Sequence, residues 1–266
     1  MKTAIITGAS SGMGREFVKM TAQRGDIDEI WVVARRRDRL EALQQEVSVP
    51  LHVLPLDLLR EESFAAFQSE LESRRPNVTF LVNASGFGRF GRNDQIPLQD
   101  DLDMIDLNCK ALVRITKLTL PYMPRGSRIV EVDSLSAFQP VPYIGMYGAT
   151  KAFVLSYTRA INQELKPEGI RVMAVSPGWV KTEFFNHAFE TNQGQVRYFN
   201  RLYEAKDVVA TALKDLYRSK KDVSIHGLPV RAQVLMVKLL PHSLVMKVWQ
   251  SQQKKEKNNT GLTTQS

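Results

Sequence analysis

The sequence predicts an α/β fold in which one doubly wound parallel sheet of about seven strands carries helices on both faces. Short β-branched runs alternate with longer helical patterns along most of the chain. Runs such as residues 30–34 (Ile-Trp-Val-Val-Ala) are continuously apolar, as expected for strands that are buried on both faces. This alternation is typical of a parallel sheet whose strands are joined by helical crossovers.

The predicted elements follow one another at short intervals. Strands are predicted at 3–7, 29–34, 51–56, 78–83, 128–133, 170–176 and 222–226, and helices near 12–24, 37–47, 61–73, 99–123, 146–166 and 205–218. Right-handed crossovers bring the carboxyl ends of all the strands to one edge of the sheet, where ligands bind. Side chains that follow the strands are therefore the first candidates for a functional site.

Three segments of the chain differ in composition. Residues 1–226 carry the alternating pattern, and residues 251–266 form a polar tail in which no fixed structure is expected. The apolar, basic segment 227–250 between them is interrupted by Pro241, and it predicts two short helices that pack on the body. Two other interpretations of this segment are a substrate lid and a contact with a membrane surface.

Composition and charge argue against several classes of protein. Of the 266 residues, 43% are hydrophobic and 24% are charged, which is ordinary for a globular domain. The formal net charge is +8, but nothing resembles a nucleic-acid-binding module, so no nucleic-acid partner is expected. With Cys109 as the only cysteine and four scattered histidines, no metal site is predicted. Because no segment resembles a signal peptide or a membrane span, a cytoplasmic protein is expected.

A glycine-rich turn follows the first predicted strand and precedes a predicted helix. Small residues in such a turn allow a pyrophosphate to approach the amino end of the helix, which offers backbone N–H groups and a partial positive charge. This context predicts a dinucleotide site. The expected contacts are Gly8, Ser10, Ser11, Gly12, Met13 and Gly14.

The residues after the second strand indicate which dinucleotide binds. Sites for NAD place an acidic residue there to hold the ribose 2′-hydroxyl. This chain has Ala34 at that position, followed by Arg35, Arg36 and Arg37. A guanidinium binds a 2′-phosphate through charge-assisted bonds, whereas a carboxylate would repel it. The sequence therefore predicts NADP(H) as the cofactor, with Arg35 as the primary contact.

Asp57 and Leu58 come at the end of the third strand and are expected beside the adenine ring. The Asp57 carboxylate is well placed to accept a hydrogen bond from the adenine amino group. Its alternative role is to cap the helix that follows.

Ser134, after the fifth strand, precedes a Tyr-x-x-x-Lys pair. Tyr147 and Lys151 share one face of a predicted helix. An ammonium near a phenol lowers its pKa from about 10, and Ser134 can hydrogen-bond a substrate oxygen, so the three side chains are suited to proton transfer. A second match, Tyr217 and Lys221, has no serine at the same spacing and is interpreted as a solvated surface pair.

Taken together, these motifs resemble the short-chain dehydrogenase/reductase family over roughly residues 1–226. The matching segments are Thr7–Gly14, Asn83–Gly86, Asn108, Ser134, Tyr147–Lys151 and Ser176–Gly178. Residues 83–86 read Asn-Ala-Ser-Gly where the family usually has Asn-Asn-Ala-Gly, and the turn at the strand end is expected to be kept. The resemblance implies a single-domain Rossmann fold and an NADP(H)-dependent oxidoreductase that transfers a hydride between the nicotinamide and a carbonyl or secondary alcohol.

The resemblance also implies a role for individual residues. Tyr147 would be the general acid/base, Lys151 would also hold the nicotinamide ribose, Asn108 would position a water in a proton relay and Ser134 would orient the substrate. Val180 and Thr182 would contact the nicotinamide carboxamide. The remaining cofactor contacts that it implies are Asn83, Ala84, Pro177 and Gly178.

A hydrophobic ketone or alcohol is the expected substrate class, because aromatic residues cluster in the predicted rim loops. These residues are Phe87, Phe90, Phe138, Tyr143, Phe184, Phe185 and Phe189. Two alternatives remain: a 3-oxoacyl-carrier-protein reductase, and a catalytically silent NADP-binding regulatory protein. A homodimer is expected through helices 99–123 and 146–166, which carry small and apolar residues beyond those needed for one face.

Overall fold

The computed structural model describes residues 1–260, with side chains described through Lys254. Its strands are β1 (Lys2–Thr7), β2 (Glu29–Val33), β3 (Leu51–Leu54), β4 (Asn77–Asn83), β5 (Arg128–Val132), β6 (Arg171–Val175), β7 (Trp179–Lys181), β8 (Leu202–Glu204) and β9 (Val223–Ser224). Its α-helices are α1 (Gly12–Gln23), α2 (Arg37–Leu43), α3 (Glu61–Arg74), α4 (Leu98–Ile105), α5 (Leu112–Thr119), α6 (Gly145–Glu164), α7 (Phe184–Ala188), α8 (Ala205–Arg218), α9 (Leu228–Leu239) and α10 (His242–Thr260).

Seven strands form one parallel sheet in the order β3-β2-β1-β4-β5-β6-β9. The strand order reverses at β1, which pairs with β2 on one side and β4 on the other. Thr7 is level with both Val33 and Asn83, so the ends of these three strands lie side by side. A doubly wound sheet opens a crevice at such a reversal. The structure confirms the predicted single α/β domain.

Both faces of the sheet are covered by helices. Ile5 and Ile6 are adjacent on β1, fully buried, and belong to different core clusters. Ile6 lies in the cluster that includes Phe17 of α1, and Ile5 lies in the cluster that includes Phe67 of α3. Successive residues of a strand point to opposite faces, so burial on both faces requires the continuous apolar runs seen in the sequence.

Two features of the chain differ from the predicted elements. The predicted helix 99–123 is divided by a π-helical turn, Asp106–Ala111, which separates α4 from α5. After β6 the chain forms a two-stranded ribbon of β7 and β8, and α7 lies between these two strands in the sequence. Strands of three residues are too short to show a hydrophobic period, and the ribbon depends on contacts between segments that are distant in sequence.

The last two helices pack against the body. Trp249 Nε1 donates to the carbonyl of Pro142 at 2.9 Å, and Gln253 Oε1 accepts from the backbone N–H groups of Arg197 and Tyr198. The sequence predicts no fixed structure from residue 251, but α10 continues to Thr260, and residues 252–257 (Gln-Gln-Lys-Lys-Glu-Lys) have good helix propensity. Residues 261–266 lie outside the described part of the chain. Within residues 1–260, no helix is long and apolar enough to span a bilayer.

Candidate active site

A cleft of about 690 Å³ opens at the carboxyl edge of the sheet, beside the reversal of strand order. Most of the residues that the sequence singles out line it. They are Gly8, Ser10, Ser11, Gly12, Met13, Gly14, Arg35, Asp57, Leu58, Ala84, Ser134, Tyr147, Lys151, Pro177, Gly178, Val180 and Thr182. Asn83 and Asn108 are buried and do not line this cleft.

The glycine turn brings β1, β4 and α1 into close contact. Gly8 has a φ of +67°, and a Cβ at this position would lie 2.6 Å from the carbonyl oxygen of Ala84. A Cβ on Gly14 would lie 2.2 Å from the carbonyl oxygen of Gly8. Any larger residue would therefore push the helix away from the strand. The first turn of α1 has N–H groups without intrahelical partners and no acidic residue, which suits an anionic group.

Two arginines after β2 line the cleft, and they differ in their surroundings. Arg35 is exposed, whereas Arg36 is partly buried and donates to the hydroxyls of Ser10 and Ser11 at 3.1 and 3.0 Å. Arg36 also pairs with Glu183 at 2.8 Å. The sequence predicts Arg35 as the primary contact, whereas the contacts of Arg36 and Glu183 are visible only in the structure. Glu183 lies 147 residues further along the chain, so no local pattern indicates this pairing.

Asp57 lies at the rim of the cleft, after β3. Its Oδ1 accepts a hydrogen bond from the backbone N–H of Leu59 at 3.1 Å, which closes a local turn. Leu58 is 5% exposed and belongs to the core cluster that includes Phe67. The helix that follows begins at Glu61 with Arg60 as its N-cap, so Asp57 does not occupy the capping position that the sequence offered as its alternative role.

At the other end of the cleft, α6 carries Tyr147 and Lys151 on one face. Lys151 is buried, and its Nζ lies 5.7 Å from the centroid of the Tyr147 ring and donates to the carbonyl of Val132 at 2.8 Å. Ser134 follows β5 in an extended conformation, and its Oγ accepts from the backbone N–H of Ser136 at 3.2 Å. The fold therefore brings the three predicted proton-transfer residues together.

Burial raises the pKa of Tyr147, and the negative charge of Asp133 acts in the same direction. Hydrogen bonding by the Ser134 hydroxyl opposes this increase. The net direction is opposite to the lowering by Lys151 that the sequence predicts, because loss of solvation around the phenol dominates in the protein alone. The phenol therefore keeps its proton at neutral pH, the state in which it can act as an acid.

Two buried carboxyl groups, Glu131 and Asp133, lie near Lys151 and are absent from the predicted site residues. Burial raises the pKa of Glu131 to about 8 and that of Asp133 to about 7, while the charge of Lys151 opposes both increases. Asp133 accepts from Ser176 Oγ at 2.7 Å. Conversely, burial lowers the pKa of Lys151, and Asp133 opposes that decrease. The available signal was the alternation of acidic and apolar residues at 130–133, in a strand that is otherwise apolar.

The π-helical turn carries Asn108, whose side-chain amide has several partners. Its Oδ1 accepts from the backbone N–H of Phe87 at 3.0 Å, and its Nδ2 donates to the Phe87 carbonyl at 2.9 Å and to Thr150 Oγ1 at 3.1 Å. Asn108 therefore ties the loop after β4 to α6, one residue before Lys151. A π-helical turn adds a residue to the helical turn, and such turns are frequent at functional sites.

Asn83, at the end of β4, lies behind the cleft. Its Nδ2 donates to Thr116 Oγ1 at 2.9 Å and to Glu131 Oε1 at 3.2 Å. These bonds fix the strand end that carries the cleft residue Ala84.

Aromatic side chains form part of the cleft wall. Phe87, Phe184 and Phe185 line it as predicted, and Trp179 joins them. The rings of Phe184 and Tyr147 lie 5.2 Å apart between centroids. The other four aromatic residues of the predicted rim do not line this cleft: Phe90, which is fully buried, Phe138, Tyr143 and Phe189. Polar groups are also present in the lining, including Arg89, which pairs with Asp100 at 3.0 Å.

Comparisons with known proteins agree with this fold. A family model described as short chain dehydrogenase matches residues 2–193. Sulfoacetaldehyde reductase 2 from Chromohalobacter salexigens is 36% identical over 186 residues, which cover 68% of this chain and 73% of that protein.

Solved structures with the same fold are bound to either nicotinamide cofactor. A short-chain dehydrogenase from Sphingobium yanoikuyae in complex with NADPH has a TM-score of 0.76 and 31% identity, covering 89% of this chain and 92% of the other. A 3-ketoacyl-(acyl-carrier-protein) reductase from Brucella melitensis complexed with NADH has a TM-score of 0.71 and 25% identity, covering 85% and 96%. The family match and the shared fold show that this chain belongs to the short-chain dehydrogenase/reductase family of oxidoreductases.

Proposed function

We propose that this protein is an NADP(H)-dependent oxidoreductase that interconverts a carbonyl and a secondary alcohol on a hydrophobic small molecule. The observation that carries the proposal is one continuous cleft, which has arginines and a glycine turn at one end and Tyr147 with Lys151 at the other. When bound, NADPH would supply the hydride.

The residues around the cleft fit a dinucleotide. The glycine turn, 8–14, would hold the pyrophosphate at the amino end of α1. A Cβ on Gly8 or on Gly14 would collide with neighbouring backbone atoms, so glycine is required for this tight turn. Asp57 and Leu58 would lie at the adenine, and Lys151 would hold the nicotinamide ribose beside Ala84. The segment 177–182 would flank the nicotinamide through Pro177, Gly178, Val180 and Thr182. Asn83 would support the site indirectly, because its hydrogen bonds to Thr116 and Glu131 fix the end of β4.

In the proposed mechanism Tyr147 delivers a proton to the substrate oxygen as negative charge develops there. A free phenol, with a pKa of about 10, is already protonated at neutral pH, and burial raises the pKa of Tyr147 further, so the side chain is in the state needed for carbonyl reduction. The Ser134 hydroxyl would orient the same oxygen. Lys151 would stabilise the phenolate that remains, because its ammonium lies 5.7 Å from the centroid of the ring. Asn108 would position the water of a proton relay, and its bonds to Phe87 and Thr150 hold it in place for this role.

The preference for NADP(H) depends on the arginines at the end of β2. Arg36 is already oriented by the hydroxyls of Ser10 and Ser11, and Arg35 lies beside it at the cleft. Glu183 neutralises Arg36 and Arg39 in the structure. A 2′-phosphate carries more negative charge than a carboxylate and can accept a bidentate guanidinium, so it would displace Glu183. NADH has no group that could do so.

Substitution of Arg36 by alanine tests this preference. A hydrogen bond to a charged group contributes about 1.5–3 kcal/mol, so Arg36→Ala is expected to weaken NADPH binding by roughly 10- to 150-fold. NADH binding is expected to change by less than about threefold, since the lost contact is to the phosphate. Titration of protein fluorescence or isothermal calorimetry measures both dissociation constants, and Arg35→Ala is expected to act in the same direction.

Arg37→Ala is the matched control, because Arg37 is exposed and pairs within α2 with Glu41. It is expected to leave both dissociation constants unchanged. Equal losses of NADPH and NADH affinity in Arg36→Ala would contradict the assignment of this end of the cleft.

Oxidation of NADPH, followed by absorbance, tests the substrate class. Aromatic and aliphatic ketones are expected to react faster than small anionic aldehydes, because Phe87, Trp179, Phe184 and Phe185 line the cleft.

A second candidate, the 3-oxoacyl-carrier-protein reductase, is favoured by the similarity to the Brucella melitensis enzyme. Faster turnover of a carrier-bound 3-oxoacyl chain than of any free ketone would select it. Tight NADPH binding without turnover of any substrate would instead indicate a regulatory protein.

The proposal includes a homodimer and a cytoplasmic location, where NADPH is regenerated. Leu98, Leu102 and Ile105 of α4 and Phe153 of α6 are large apolar side chains that are exposed in the single chain. They lie on the helices for which the sequence predicts pairing. Light scattering at micromolar concentration measures the assembly, and a monomeric mass would contradict it.

A further inference from the structure

The two C-terminal helices carry apolar residues on both of their sides, but only one side of the pair is buried against the body. Val230, Val234 and Val237 of α9 and Val245 and Trp249 of α10 are buried against the body. The opposite side, called the outer face below, consists of Leu228, Leu235, Met236 and Leu239 of α9, Leu240 between the helices, and Leu244 and Val248 of α10. An apolar surface of this kind on a monomer marks an interaction site.

The outer face is unusual within the molecule. It contains seven of the fourteen large hydrophobic side chains that are exposed in the described part of the chain. Leu228 and Leu239 are 77% and 76% exposed, so they make few contacts within the protein. A single exposed leucine is ordinary on a protein surface, but seven large apolar side chains within 21 residues are not.

The charged side chains of the segment that carries this face all have one sign. Between residues 228 and 255 the chain has five basic residues and no aspartate or glutamate, so this short segment contributes five of the eight net positive charges. Arg231, Lys238 and Lys247 are exposed on the same two helices. The face is therefore an apolar surface accompanied by cations.

The charge pattern distinguishes between the occupants that could cover this face. A second copy related by two-fold symmetry would bring the same cations together, with no acidic side chain in the segment to pair with them. Residues 255–266 have Leu262 as their one large apolar residue, so this segment offers too little apolar surface. An anionic bilayer offers both negative headgroups for the lysines and an apolar layer for the leucines.

The helices are fixed to the body by contacts on their inner side. Trp249 donates to Pro142 and stacks on Trp179, with 6.3 Å between the ring centroids. Lys238 is not one of these anchors, because its side chain stays exposed although its Nζ lies 5.5 Å from the centroid of the Phe138 ring. The outer face is therefore presented by an anchored pair of helices, and its exposure requires no opening of the core.

We propose that the outer face of α9 and α10 binds the surface of an anionic lipid bilayer. The apolar side chains enter the interface between headgroups and acyl chains, and Arg231, Lys238 and Lys247 pair with lipid phosphates. This proposal does not depend on the identity of the substrate or the cofactor.

Flotation of the full chain with vesicles tests the proposal. The protein is expected to float with vesicles of phosphatidylcholine mixed with phosphatidylglycerol, and at least about tenfold less with phosphatidylcholine alone, since the cations contribute much of the attraction. High salt is expected to reduce the bound fraction by screening. Absence of flotation with anionic vesicles, or equal flotation with both kinds, would overturn the proposal.

Substitutions on the outer face locate the binding surface. Leu235→Gln combined with Leu239→Gln, and separately Lys238→Gln combined with Lys247→Gln, are each expected to reduce flotation by about tenfold or more. Leu202→Gln is the matched control, because Leu202 is 51% exposed on β8 and belongs neither to the outer face nor to the helices proposed to pair. Circular dichroism and NADPH binding verify that each variant is folded. Flotation that is unchanged in both double variants would exclude this face.

Light scattering of the same variants tests the second-copy alternative. The double leucine variant is expected to keep the mass of the unsubstituted protein, because the outer face is not proposed to join two chains. A lower mass in this variant would show that the outer face forms an interface with a second copy of the chain and does not bind a bilayer.

Discussion

Two Tyr-x-x-x-Lys sequences occur in this chain, and the fold places them at opposite edges of the sheet. Tyr147 and Lys151 lie on one face of α6, beside the residues that follow the carboxyl end of β5. Tyr217 instead lies close to Arg128, the first residue of β5. In a parallel sheet the ligand-binding crevice lies outside the carboxyl ends of the strands, so the first tyrosine alone lies at the cleft.

The second pair also lacks the helical geometry that its spacing suggests. Helix α8 ends at Arg218, so Lys221 lies beyond it, and Lys221 Nζ pairs with Asp215 at 2.7 Å. The Tyr217 ring is partly buried, with the Arg24 guanidinium 3.4 Å from its centroid. The interpretation as a solvated surface pair was therefore incomplete, since the ring packs against an arginine and the lysine is bonded elsewhere.

The pKa does not distinguish the two tyrosines. Burial raises the pKa of both phenols, even though Arg24 and Arg128 act to lower that of Tyr217. The difference is geometric, because Tyr147 adjoins a cleft and a serine, whereas Tyr217 adjoins cations on the other edge. A motif of this length therefore acquires its chemistry from its position in the fold.

The largest expected effect is on the chemistry at Tyr147. Tyr147→Phe removes the proton donor, and general acid catalysis contributes about 10²- to 10⁴-fold, so turnover is expected to fall by about three orders of magnitude. The NADPH dissociation constant is expected to change by less than about threefold, because the hydroxyl acts mainly as charge develops on the substrate. Steady-state kinetics with cofactor titration measures both quantities. A variant with near-normal turnover would refute the proposed mechanism.

Lys151→Met is expected to reduce turnover by about 10²-fold and also to weaken NADPH binding by about tenfold. The two effects have different causes, because Lys151 is proposed both to stabilise the phenolate and to hold the ribose. Methionine fills a volume similar to that of the buried lysine stem. Loss of turnover with unchanged NADPH affinity would remove the proposed contact with the ribose.

The buried carboxyl groups near the first pair predict a pH dependence of stability. The pKa of Glu131 rises from 4.5 to about 8 on folding, so the folded protein holds a proton that the unfolded chain releases. This contribution is fully present below about pH 4.5 and is lost as the pH rises toward 8. Unfolding by denaturant across this range is expected to show a decline of up to about 1.4 kcal/mol per pH unit from this group.

Glu131→Gln should flatten that decline, because glutamine has no titrating proton and can still accept from Thr116. Its unfolding free energy is expected to exceed that of the unsubstituted protein by a margin that grows from pH 5 to pH 8. The same slope in both proteins would mean that Glu131 does not hold a proton in the folded state.

The smallest expected effect is at the second pair. Tyr217→Phe is expected to leave turnover within about twofold, and to change the free energy of unfolding by less than about 1 kcal/mol, because the ring and its packing remain. Kinetics and denaturant unfolding measure the two quantities. A folded but inactive Tyr217→Phe protein would reverse the assignment of the two motifs.

Much of the fold and of the cleft lining could be predicted from the sequence, because both depend on local patterns. Continuous apolar runs require strands buried on both faces, and Ile5 and Ile6 meet that requirement in separate cores. The glycine turn needs residues without a Cβ where backbones approach closely, and the sequence has glycine at both of these positions, Gly8 and Gly14. Side chains that follow parallel strands must reach one edge, so Ser134 could be expected near the glycine turn before any coordinates were known.

Other features were decided only by the tertiary structure, because they depend on contacts between distant segments and on burial. Glu183 reaches Arg36 from 147 residues away, and no property of the Arg-Arg-Arg run indicates which guanidinium it meets. The pKa of Tyr147 depends mainly on how completely the surrounding chain excludes water from the phenol. The Tyr-x-x-x-Lys spacing gives no information about this burial. Likewise, the spacing that places Lys151 beside Tyr147 fails for Lys221, because α8 ends before reaching it.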